Sequence, residues 1–442
     1  MVNQVVLVSH HILSETSSWN IVAMKMTIRN GKSYIRNICL EDVAQEYGTP
    51  FYLYDLNDVY QKIETIRNNF GESVKLYYAI KANSNLEILK AIREKVDGLD
   101  ISSIGEMEQS LLAGYSPGQL SFAGPGKTFQ ELEQSIRNQV GIISVESIHE
   151  MENIKKISLL VNSKVDIMIR VNPTMLIREF DIKMGGQATQ FGIDEENLDE
   201  AIKYATKERD YLNFRGIHVY AGTQCMNADA LAKNVGNILS IARNIQREHR
   251  LPCSVINLGG GFGVSYYNDE KLDILRVAEG IKKEIEEYKK DFNKESTFIL
   301  ELGRYLVAEA GLYVTTVISK KESRGKSYFI LDGGMNHHLS AAGGFGQVLR
   351  KNFMVKNISN PEGEAKVCNL VGPLCTTIDL MAKDVSIESP RIGDRIAFLN
   401  SGSYGFTSSP LLFLGHKTPL EVMLYDHAIR VIRARRNLIE FN

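Results

Sequence analysis

Short apolar runs alternate with longer stretches of helical periodicity between about residues 49 and 302. The runs have the length of buried strands, and the stretches between them place apolar residues three and four positions apart, as amphipathic helices do. Repeated βα units of this kind predict a parallel sheet, which is either closed as a barrel or open and doubly wound. The clearest runs are residues 74–80, 165–171, 215–221, 254–260 and 296–302, and the clearest helical stretches are residues 85–96 and 272–292.

The pattern changes after Gly311, where β-rich runs are separated by Gly, Asn and Pro and few helical stretches occur. This pattern is typical of a mainly antiparallel domain. Residues 27–48 contain one strand-like run and one short helix, and we expect them to pack with that domain. The predicted organisation is therefore a barrel or open sheet over residues 49–310 and a C-terminal β-domain over residues 311–442.

Residues 1–26 are interpreted as a poorly ordered leader, and Met24 or Met26 is a possible start of a shorter product. The apolar run at residues 5–8 is too short for a secretory signal, and no Lys or Arg precedes it. The five cysteines include no C-x-x-C pair, which fits a reducing compartment and disfavours a disulfide framework or a thiolate metal site. These observations predict a cytoplasmic protein without a metal.

The overall charge limits the possible partners. The chain carries 51 Lys and Arg against 53 Asp and Glu, a formal net charge of −2, so it lacks a broad cationic field for nucleic acid or an anionic membrane. No uninterrupted apolar stretch reaches the roughly 18 to 20 residues that a membrane span requires. Nucleic-acid binding and membrane insertion are therefore both disfavoured.

Lys81 stands where the apolar run YYAIK ends. In a parallel barrel the chemistry lies at the carboxyl ends of the strands, because the loops there converge on one mouth. A lysine held in that mouth loses part of its hydration, and its amine can form a Schiff base with an aldehyde cofactor. Taken alone the motif is weak, since most lysines at strand ends are simply solvated.

A glycine-rich turn, residues 259–263, also follows a strand-like run. Successive glycines bring backbone N–H groups close to an anion, which favours phosphate. The spacing does not match the dinucleotide fingerprint or a nucleotide-binding P-loop. A tight turn without a ligand is the competing interpretation.

Glu301 and Arg304 stand three residues apart at the end of another strand-like run. A carboxylate at this place suits a protonated ring nitrogen, and a guanidinium suits a carboxylate or phosphate. A salt bridge at the rim of the barrel is the structural alternative.

Two motifs fall in the β-rich part. Cys375 comes shortly after Gly372-Pro373 in a predicted turn, where an accessible thiol can donate a proton, although a buried structural cysteine is the commoner case. The pair His337-His338 lacks metal-binding spacing, and we interpret it as structural or substrate-facing.

With these motifs in this order, the sequence resembles the pyridoxal-phosphate-dependent decarboxylases of the alanine-racemase-like fold, which include diaminopimelate and ornithine decarboxylases. Within this family it is most similar to the glutamyl-carrier-protein decarboxylases of butirosin biosynthesis. The resemblance implies an α/β fold with a (β/α)8 pyridoxal-phosphate-binding barrel and a C-terminal antiparallel β-domain. The shared stretches include residues 183–186, 190–192, 216–224, 332–338 and 413–416.

Carried over to this sequence, the resemblance assigns roles to individual residues. Lys81 is joined to the cofactor aldehyde and exchanges with the substrate amine, and Glu301 faces the ring nitrogen. Cys375 is donated by the partner chain, so the active sites are shared across a homodimer, and Arg304 binds phosphate or the substrate carboxylate. The remaining cofactor residues are Thr223, Gly259, Gly260 and Gly261 at the phosphate, Tyr220 in place of the family's stacking histidine, and Tyr404.

The departures from the family concern the substrate. Thr376 follows the cysteine where diaminopimelate decarboxylases have glutamate and ornithine-type enzymes aspartate, and His337-His338 stand near where the former carry an arginine. Since a buried ammonium without a carboxylate partner costs several kcal/mol, we expect an L-amino-acid substrate whose distal end is masked or tethered, such as a glutamyl thioester on a carrier protein. The alternatives are α-decarboxylation of meso-diaminopimelate and, less favoured, a cofactor-binding pseudoenzyme.

Overall fold

The computed structural model of the chain describes residues 26–175, 177–292, 295–344 and 351–441. Apart from Met26, the predicted leader lies outside the described residues.

The helices and strands follow one another along the chain as listed next. The strands are β1 Met26–Arg29, β2 Lys32–Ile35, β3 Ile38–Cys39, β4 Phe51–Asp55, β5 Lys75–Ala79, β6 Gly98–Ile101, β7 Leu120–Phe122, β8 Ile142–Val145, β9 Val165–Asn172, β10 Ile182–Lys183, β11 Ile193–Asp194, β12 Leu212–His218, β13 Gly222–Thr223, β14 Val255–Asn257, β15 Thr297–Leu302, β16 Gly311–Ser323, β17 Lys326–Leu331, β18 Val355–Asn357, β19 Ala365–Val371, β20 Leu380–Glu388, β21 Arg395–Phe398, β22 Leu420–Tyr425 and β23 Ala428–Arg433. The α-helices are α1 Leu40–Tyr47, α2 Leu56–Phe70, α3 Leu86–Ile92, α4 Ile104–Leu112, α5 Phe129–Arg137, α6 Ile148–Val161, α7 Leu198–Lys207, α8 Ala228–His249, α9 Ile274–Asp291 and α10 Arg304–Val307.

Eight parallel strands of the described chain close into a barrel. Their order around the barrel is β5, β6, β7, β8, β9, β12, β14 and β15, and β15 pairs again with β5. The strands are short and almost wholly buried, which is why they appear in the sequence as continuous apolar runs rather than alternating ones. The predicted closed α/β barrel is confirmed, and the open-sheet alternative is not what the chain adopts.

Six of the helices around the barrel begin at a residue whose polar side chain caps the helix. Each of these side chains accepts a hydrogen bond from a backbone N–H in the first turn, which satisfies a donor that the helix itself leaves unpaired. Each cap fixes the residue at which its helix begins. The preceding loop, at the carboxyl end of a strand, therefore ends at that residue. The capping residues are Asn85, Ser103, Thr128, Ser147, Asn227 and Asp273.

The second compact unit comprises residues 26–61, Ser265–Glu270 and residues 306–441. Its main sheet has the order β20, β19, β17, β16, β4, β22 and β23, with β21 beside β16 and β18 beside β21. Most pairs are antiparallel, while β17 with β19 and β22 with β4 are parallel. The β1–β3 sheet and α1 contribute Ile35, Leu40 and Val43 to the same apolar core.

One strand falls in a different unit from the one expected. The sequence pattern places residues 51–55 at the start of the barrel, yet β4 lies in the β-rich sheet between β16 and β22. All five of its residues are buried, because both faces and both edges of the strand are covered. A strand buried on all sides has the same apolar pattern as a barrel strand, so the pattern alone does not separate the two cases.

None of the described helices combines the length and the apolar character needed to cross a membrane.

A buried polar cluster ties β4 to β22 and β23. The Tyr54 hydroxyl donates a hydrogen bond of 2.6 Å to Glu421, whose carboxylate also pairs with Arg433, and the Glu421 side chain is 1% exposed. Burial, followed by the charge of Glu421, raises the pKa of Tyr54 well above its usual value, so the phenol stays protonated and remains a donor.

We expect Glu421→Ala to lower the stability of the β-rich unit by about 2 to 4 kcal/mol, because it leaves the buried Tyr54 hydroxyl without its acceptor. The midpoint of chemical denaturation, followed by tyrosine fluorescence, measures the change. Asp229→Ala, which removes the exposed pair with Arg276, is the control and should shift the midpoint far less. Equal shifts for the two variants would contradict this account.

Candidate active site

Polar side chains form a belt inside the barrel at the carboxyl ends of its strands. This is the edge at which barrels of this type carry their chemistry, because the loops converge there. The members of the belt are Asp100 on β6, Ser144 on β8, Arg170 on β9, His218 on β12, Asn257 on β14 and Glu301 on β15, and all of them are buried.

Lys81 lies in a short 3-10 turn, Ile80–Ala82, directly after β5. Its Nζ is 3.5 Å from Oδ2 of Asp100 and 5.7 Å from the centre of the Tyr220 ring. The lysine side chain is 44% exposed, whereas Asp100 is buried. The amine therefore has a buried carboxylate beside it, while the lysine side chain as a whole is partly exposed.

Glu301 is held from two sides at the bottom of this belt. Asn257 Nδ2 donates a hydrogen bond to Oε1, and His218 Nε2 lies 3.3 Å from Oε2. Burial alone would raise the pKa of the Glu301 carboxyl. The ion-pair contact with His218, the hydrogen bond from Asn257 and the charge of Lys81 outweigh burial and hold that pKa below its usual range. Glu301 is therefore an anion in a nearly water-free place.

The glycine turn 259–263 starts where β14 ends. Gly259 and Gly261 have φ of 64° and 81°, in the left-handed region that glycine adopts without strain. The Gly259 N–H donates to Asn257 Oδ1 at 2.9 Å, and the Glu301 N–H donates to the Gly259 carbonyl at 2.7 Å. Asn257 thus links the turn directly to the buried carboxylate.

The neighbouring strand-like segment braces the same turn. Cys225 exchanges backbone hydrogen bonds with Gly261 and Gly263, each 2.9 Å long. Thr223, at the end of β13, lies two residues before Cys225 on this segment. The predicted phosphate residues Gly259, Gly260, Gly261 and Thr223 are therefore brought together in one part of the barrel unit.

Arg304 is the first residue of α10 and follows Glu301 by three positions, as expected from the sequence. Tyr220 lies two residues beyond His218, just after β12.

The barrel residues fit a phosphorylated aldehyde cofactor with a ring nitrogen. They offer an accessible amine, a buried carboxylate kept ionised and a glycine turn for an anion. Asp100 Oδ1 is also buried inside the barrel without a hydrogen-bond partner among the described residues. A buried acceptor of this kind is what a bound polar molecule would complete.

Cys375 and Thr376 lie in the β-rich unit, in the loop between β19 and β20. Cys375 is exposed, in contrast to the other four cysteines, which are buried. The loop is fixed by Asp379, whose carboxylate accepts hydrogen bonds from the N–H groups of Met335 at 2.7 Å and Leu374 at 2.8 Å. The thiol is thus presented on a well-braced turn.

His337 and His338 lie inside the β-rich unit with less than 2% exposure. His337 contacts the Tyr313 hydroxyl and the Lys417 carbonyl through its two ring nitrogens, and His338 Nε2 lies 2.9 Å from the Ser401 hydroxyl. Burial lowers the pKa of His337 to about 4 and that of His338 to about 3, so both rings are neutral. These contacts favour the structural interpretation of the pair over the substrate-facing one.

Tyr404, the last of the expected cofactor residues, also lies in the β-rich unit. Its backbone has a φ of 50°, and its carbonyl accepts hydrogen bonds from the hydroxyls of Ser340 and Ser408 at 2.8 and 2.5 Å.

Sequence reasoning missed most of the polar belt. Asp100, Ser144 and Asn257 each stand alone within or after an apolar strand, and a single polar residue in a strand carries little signal. His218 was noted in a shared motif without a role. Its position near the end of a strand-like run, two residues before Tyr220, is the one clue.

Comparison with known proteins places the chain in a family. The model of the pyridoxal-binding domain of the pyridoxal-dependent decarboxylases matches residues 56–308. The L-glutamyl-BtrI acyl-carrier protein decarboxylase of Niallia circulans is 37% identical over 89% of this chain and 92% of its own length. A Staphylococcus aureus decarboxylase of a 2-hydroxybutanedioate substituted with an L-alanin-3-ylcarbamoyl group is 31% identical over 85% of this chain and 94% of its own length.

Solved structures agree with this placement. The diaminopimelate decarboxylase of Helicobacter pylori, solved in complex with L-lysine, superposes with a TM-score of 0.82 at 31% identity, over 90% of this chain and 97% of that one. The resemblance predicted from the motifs is thereby confirmed, both for the fold and for the enzyme class. The chain belongs to the family of pyridoxal-dependent decarboxylases.

Proposed function

We propose that this protein uses pyridoxal 5'-phosphate to remove the α-carboxylate of an L-amino acid whose distal carboxyl is masked, such as L-glutamyl attached to a carrier protein. The observation that carries the proposal is the arrangement of Lys81 and Glu301. They lie at the ends of β5 and β15, which are paired in the barrel, and the amine is accessible while the carboxylate is buried and anionic.

The barrel residues would hold the cofactor at three points. Lys81 would bind its aldehyde covalently, the glycine turn with Thr223 would bind its phosphate, and Glu301 would face its ring nitrogen. Arg304 would bind the phosphate or the substrate carboxylate, and Tyr220 and Tyr404 would complete the site. When bound, the cofactor supplies an electron sink for the pair that remains after carbon dioxide departs.

The anionic state of Glu301 decides which chemistry this site favours. A carboxylate that stays ionised keeps a proton on the ring nitrogen beside it, because opposite charges stabilise each other in a buried place. A cationic ring attracts the electron pair strongly, which suits decarboxylation. Cys375, contributed by the partner of a homodimer, would then return a proton to the α-carbon.

The substrate assignment rests on the residue at position 376, which is not an acid that could pair with a distal ammonium group of the substrate. Thr376 offers no charge, and the nearest carboxylate of the same loop, Asp379, already accepts two backbone hydrogen bonds. Burial raises the pKa of Asp379 despite those bonds. The names of both curated relatives given above describe amino acids joined to a larger group, which agrees with a masked distal end.

Diaminopimelate decarboxylation remains the second candidate, because a solved relative at 31% identity carries that name. A pseudoenzyme is disfavoured, since Lys81, Glu301 and Cys375 are all retained.

The experiment that separates these functions follows carbon dioxide release from three substrates offered to the purified protein with pyridoxal phosphate. They are L-glutamyl thioester on an acyl-carrier protein, free L-glutamate and meso-diaminopimelate. Release from the thioester alone supports the proposal, and release from meso-diaminopimelate alone assigns the second candidate. Failure of the protein to acquire the cofactor's visible absorption would overturn both.

We expect Cys375→Ala to slow turnover by about 10²- to 10⁴-fold, because it removes the proton donor, while the cofactor's absorption is retained. Thr377→Ala, a change at another exposed position of the same loop, is the matched control and should leave turnover close to that of the wild type.

Sharing of the site between subunits is tested by mixing Cys375→Ala with Lys81→Ala protein, each inactive alone. Random exchange of subunits leaves one intact site in each mixed dimer, so about a quarter of wild-type activity should return. No recovery after verified exchange would place both residues in the same subunit's site.

Adding a carboxylate at position 376 should change the substrate preference. We expect Thr376→Glu to raise carbon dioxide release from meso-diaminopimelate about tenfold, because a charge-assisted hydrogen bond to an ammonium contributes about 1.5 to 3 kcal/mol. Thr377→Glu adds the same charge one position away and serves as the control. The distal-group argument fails if both variants behave like the wild type towards this substrate.

Asp100 makes the stability of the cofactor-free protein depend on pH. Burial, and then the charge of Glu301, raises the pKa of Asp100 from 3.8 to about 7, while Lys81 partly offsets the rise. Because the folded-state pKa lies above the unfolded one, ionised Asp100 costs stability as the pH rises from about 4, and the cost is complete above about 7. At pH 5 most of that cost is absent.

We therefore expect Asp100→Asn to stabilise the cofactor-free protein more at pH 8 than at pH 5, with a difference on the order of 2 kcal/mol. Urea denaturation of both proteins at the two pH values measures it. A stability difference that is the same at both pH values would show that Asp100 titrates normally.

A further inference from the structure

Four polar side chains form a continuous chain of contacts beneath the proposed ring-nitrogen site. Ser144 Oγ lies 3.0 Å from His218 Nδ1, His218 Nε2 lies 3.3 Å from Glu301 Oε2, and Asn257 bonds to Glu301 Oε1. They come from β8, β12, β15 and β14. All four are buried, with 0% exposure for Ser144 and Asn257, 2% for His218 and 4% for Glu301.

The contacts fix which nitrogen of His218 carries the proton. A neutral imidazole has one donor and one acceptor nitrogen. The Ser144 hydroxyl can donate a hydrogen bond to Nδ1 of a neutral ring. The ring proton is then on Nε2, the nitrogen that faces the Glu301 carboxylate. Glu301 is an acceptor only, so a proton lies on Nε2 in the favourable neutral tautomer and also in the doubly protonated ring, whose Nδ1 would then donate to the Ser144 hydroxyl.

We infer that His218 is a positioning residue: held by Ser144, it orients the Glu301 carboxylate and keeps it ionised, so that Glu301 can hold a proton on the ring nitrogen of the cofactor. Neither Ser144 nor His218 touches the reacting atoms in this scheme. The inference rests on the proposed function, because it assigns a purpose to Glu301 that only a cofactor with a ring nitrogen supplies.

The position of His218 supports this role over that of an ordinary core residue. Tyr220, where the aromatic residue of the cofactor site is expected, lies two residues further along the chain, just beyond the end of β12. The Nε2 of His218 faces the Glu301 carboxylate and its Nδ1 faces Ser144, so the ring connects that carboxylate to a residue of another barrel strand. Asn257 connects the same carboxylate to the Gly259 N–H. The orientation of Glu301 and the start of the glycine turn are therefore set together.

Three variants separate the role of His218 from simple packing. His218→Leu removes the donor to Glu301, and Ser144→Ala removes the hydroxyl that sets the tautomer. His218→Gln keeps a side-chain N–H near the position of Nε2 and is the conservative variant. Ser121→Ala, on the neighbouring strand β7, removes a buried hydroxyl that lies outside this chain of contacts, and it serves as the matched control.

The decisive measurement uses each protein loaded either with pyridoxal phosphate or with its 1-deaza analogue, in which a C–H group replaces the ring nitrogen. With pyridoxal phosphate, we expect His218→Leu to lower turnover about 10²-fold, Ser144→Ala to lower it less, and His218→Gln and Ser121→Ala to stay near the wild type. With the deaza analogue, His218→Leu and the wild type should be equally slow, because there is no nitrogen left to protonate. A packing role predicts instead that His218→Leu is impaired by the same factor with either cofactor, and that outcome would overturn the inference.

A readout that does not depend on activity is the ¹⁵N chemical shift of ring-labelled pyridoxal phosphate bound to each protein. The shift should report a protonated nitrogen in the wild type, in His218→Gln and in Ser121→Ala, and loss of that protonation in His218→Leu. A protonated nitrogen in folded, cofactor-loaded His218→Leu would contradict the inference while leaving the proposed function intact. A wild-type protein that binds no pyridoxal phosphate would refute the proposed function itself.

Discussion

The barrel unit depends on keeping one negative charge, that of Glu301, in a place from which water is almost excluded. An isolated buried carboxylate would simply take up a proton, because desolvation disfavours the charged form. Glu301 instead accepts a hydrogen bond from Asn257 on β14 and contacts His218 on β12. The charge of Lys81 stabilises its ionised form further. The strands β12, β14, β15 and β5 are consecutive neighbours in the parallel sheet, so their carboxyl ends bring these side chains around one carboxylate. Closure of the sheet between β8 and β9 adds Ser144 to this group through its contact with His218.

Asp100 shows the opposite outcome for a carboxylate of similar burial. Its pKa is raised by burial and then by the negative charge of Glu301, and the charge of Lys81 only partly offsets the rise. Two acids in one barrel are therefore driven in opposite directions by their partners. The barrel can hold both acids because, in the proposed site, only Glu301 needs to stay ionised. The charge of Lys81 lowers the pKa of both acids, and its Nζ lies 3.5 Å from Asp100.

The sequence was a good guide to the barrel and to its chemically obvious residues, and for a definite reason. Parallel strands buried on both faces give continuous apolar runs, and Lys81, Glu301 and the glycine turn 259–263 interrupt those runs at their ends. The unit to which β4 belongs was not predictable, since a central strand of either sheet has the same apolar composition. The supporting residues were also hidden. Ser144 and Asn257 matter because of which strands become neighbours, and that information is absent from any local pattern.

The two units use carboxylates in contrasting ways, and this contrast bears on the substrate. In the barrel, Glu301 is surrounded by groups that stabilise its charge and leave it available to a ring nitrogen. In the β-rich unit, Asp379 accepts two N–H groups that hold the Cys375 loop in shape, and glycine is required at positions 334 and 372, because a Cβ at either would collide with the Asp379 carboxylate. Freeing this acid to bind an ammonium would cost the loop its brace and with it the presentation of the thiol. A change of specificity towards a charged distal amine therefore needs a new carboxylate rather than a reoriented Asp379. Position 376 is the simplest place to introduce that carboxylate.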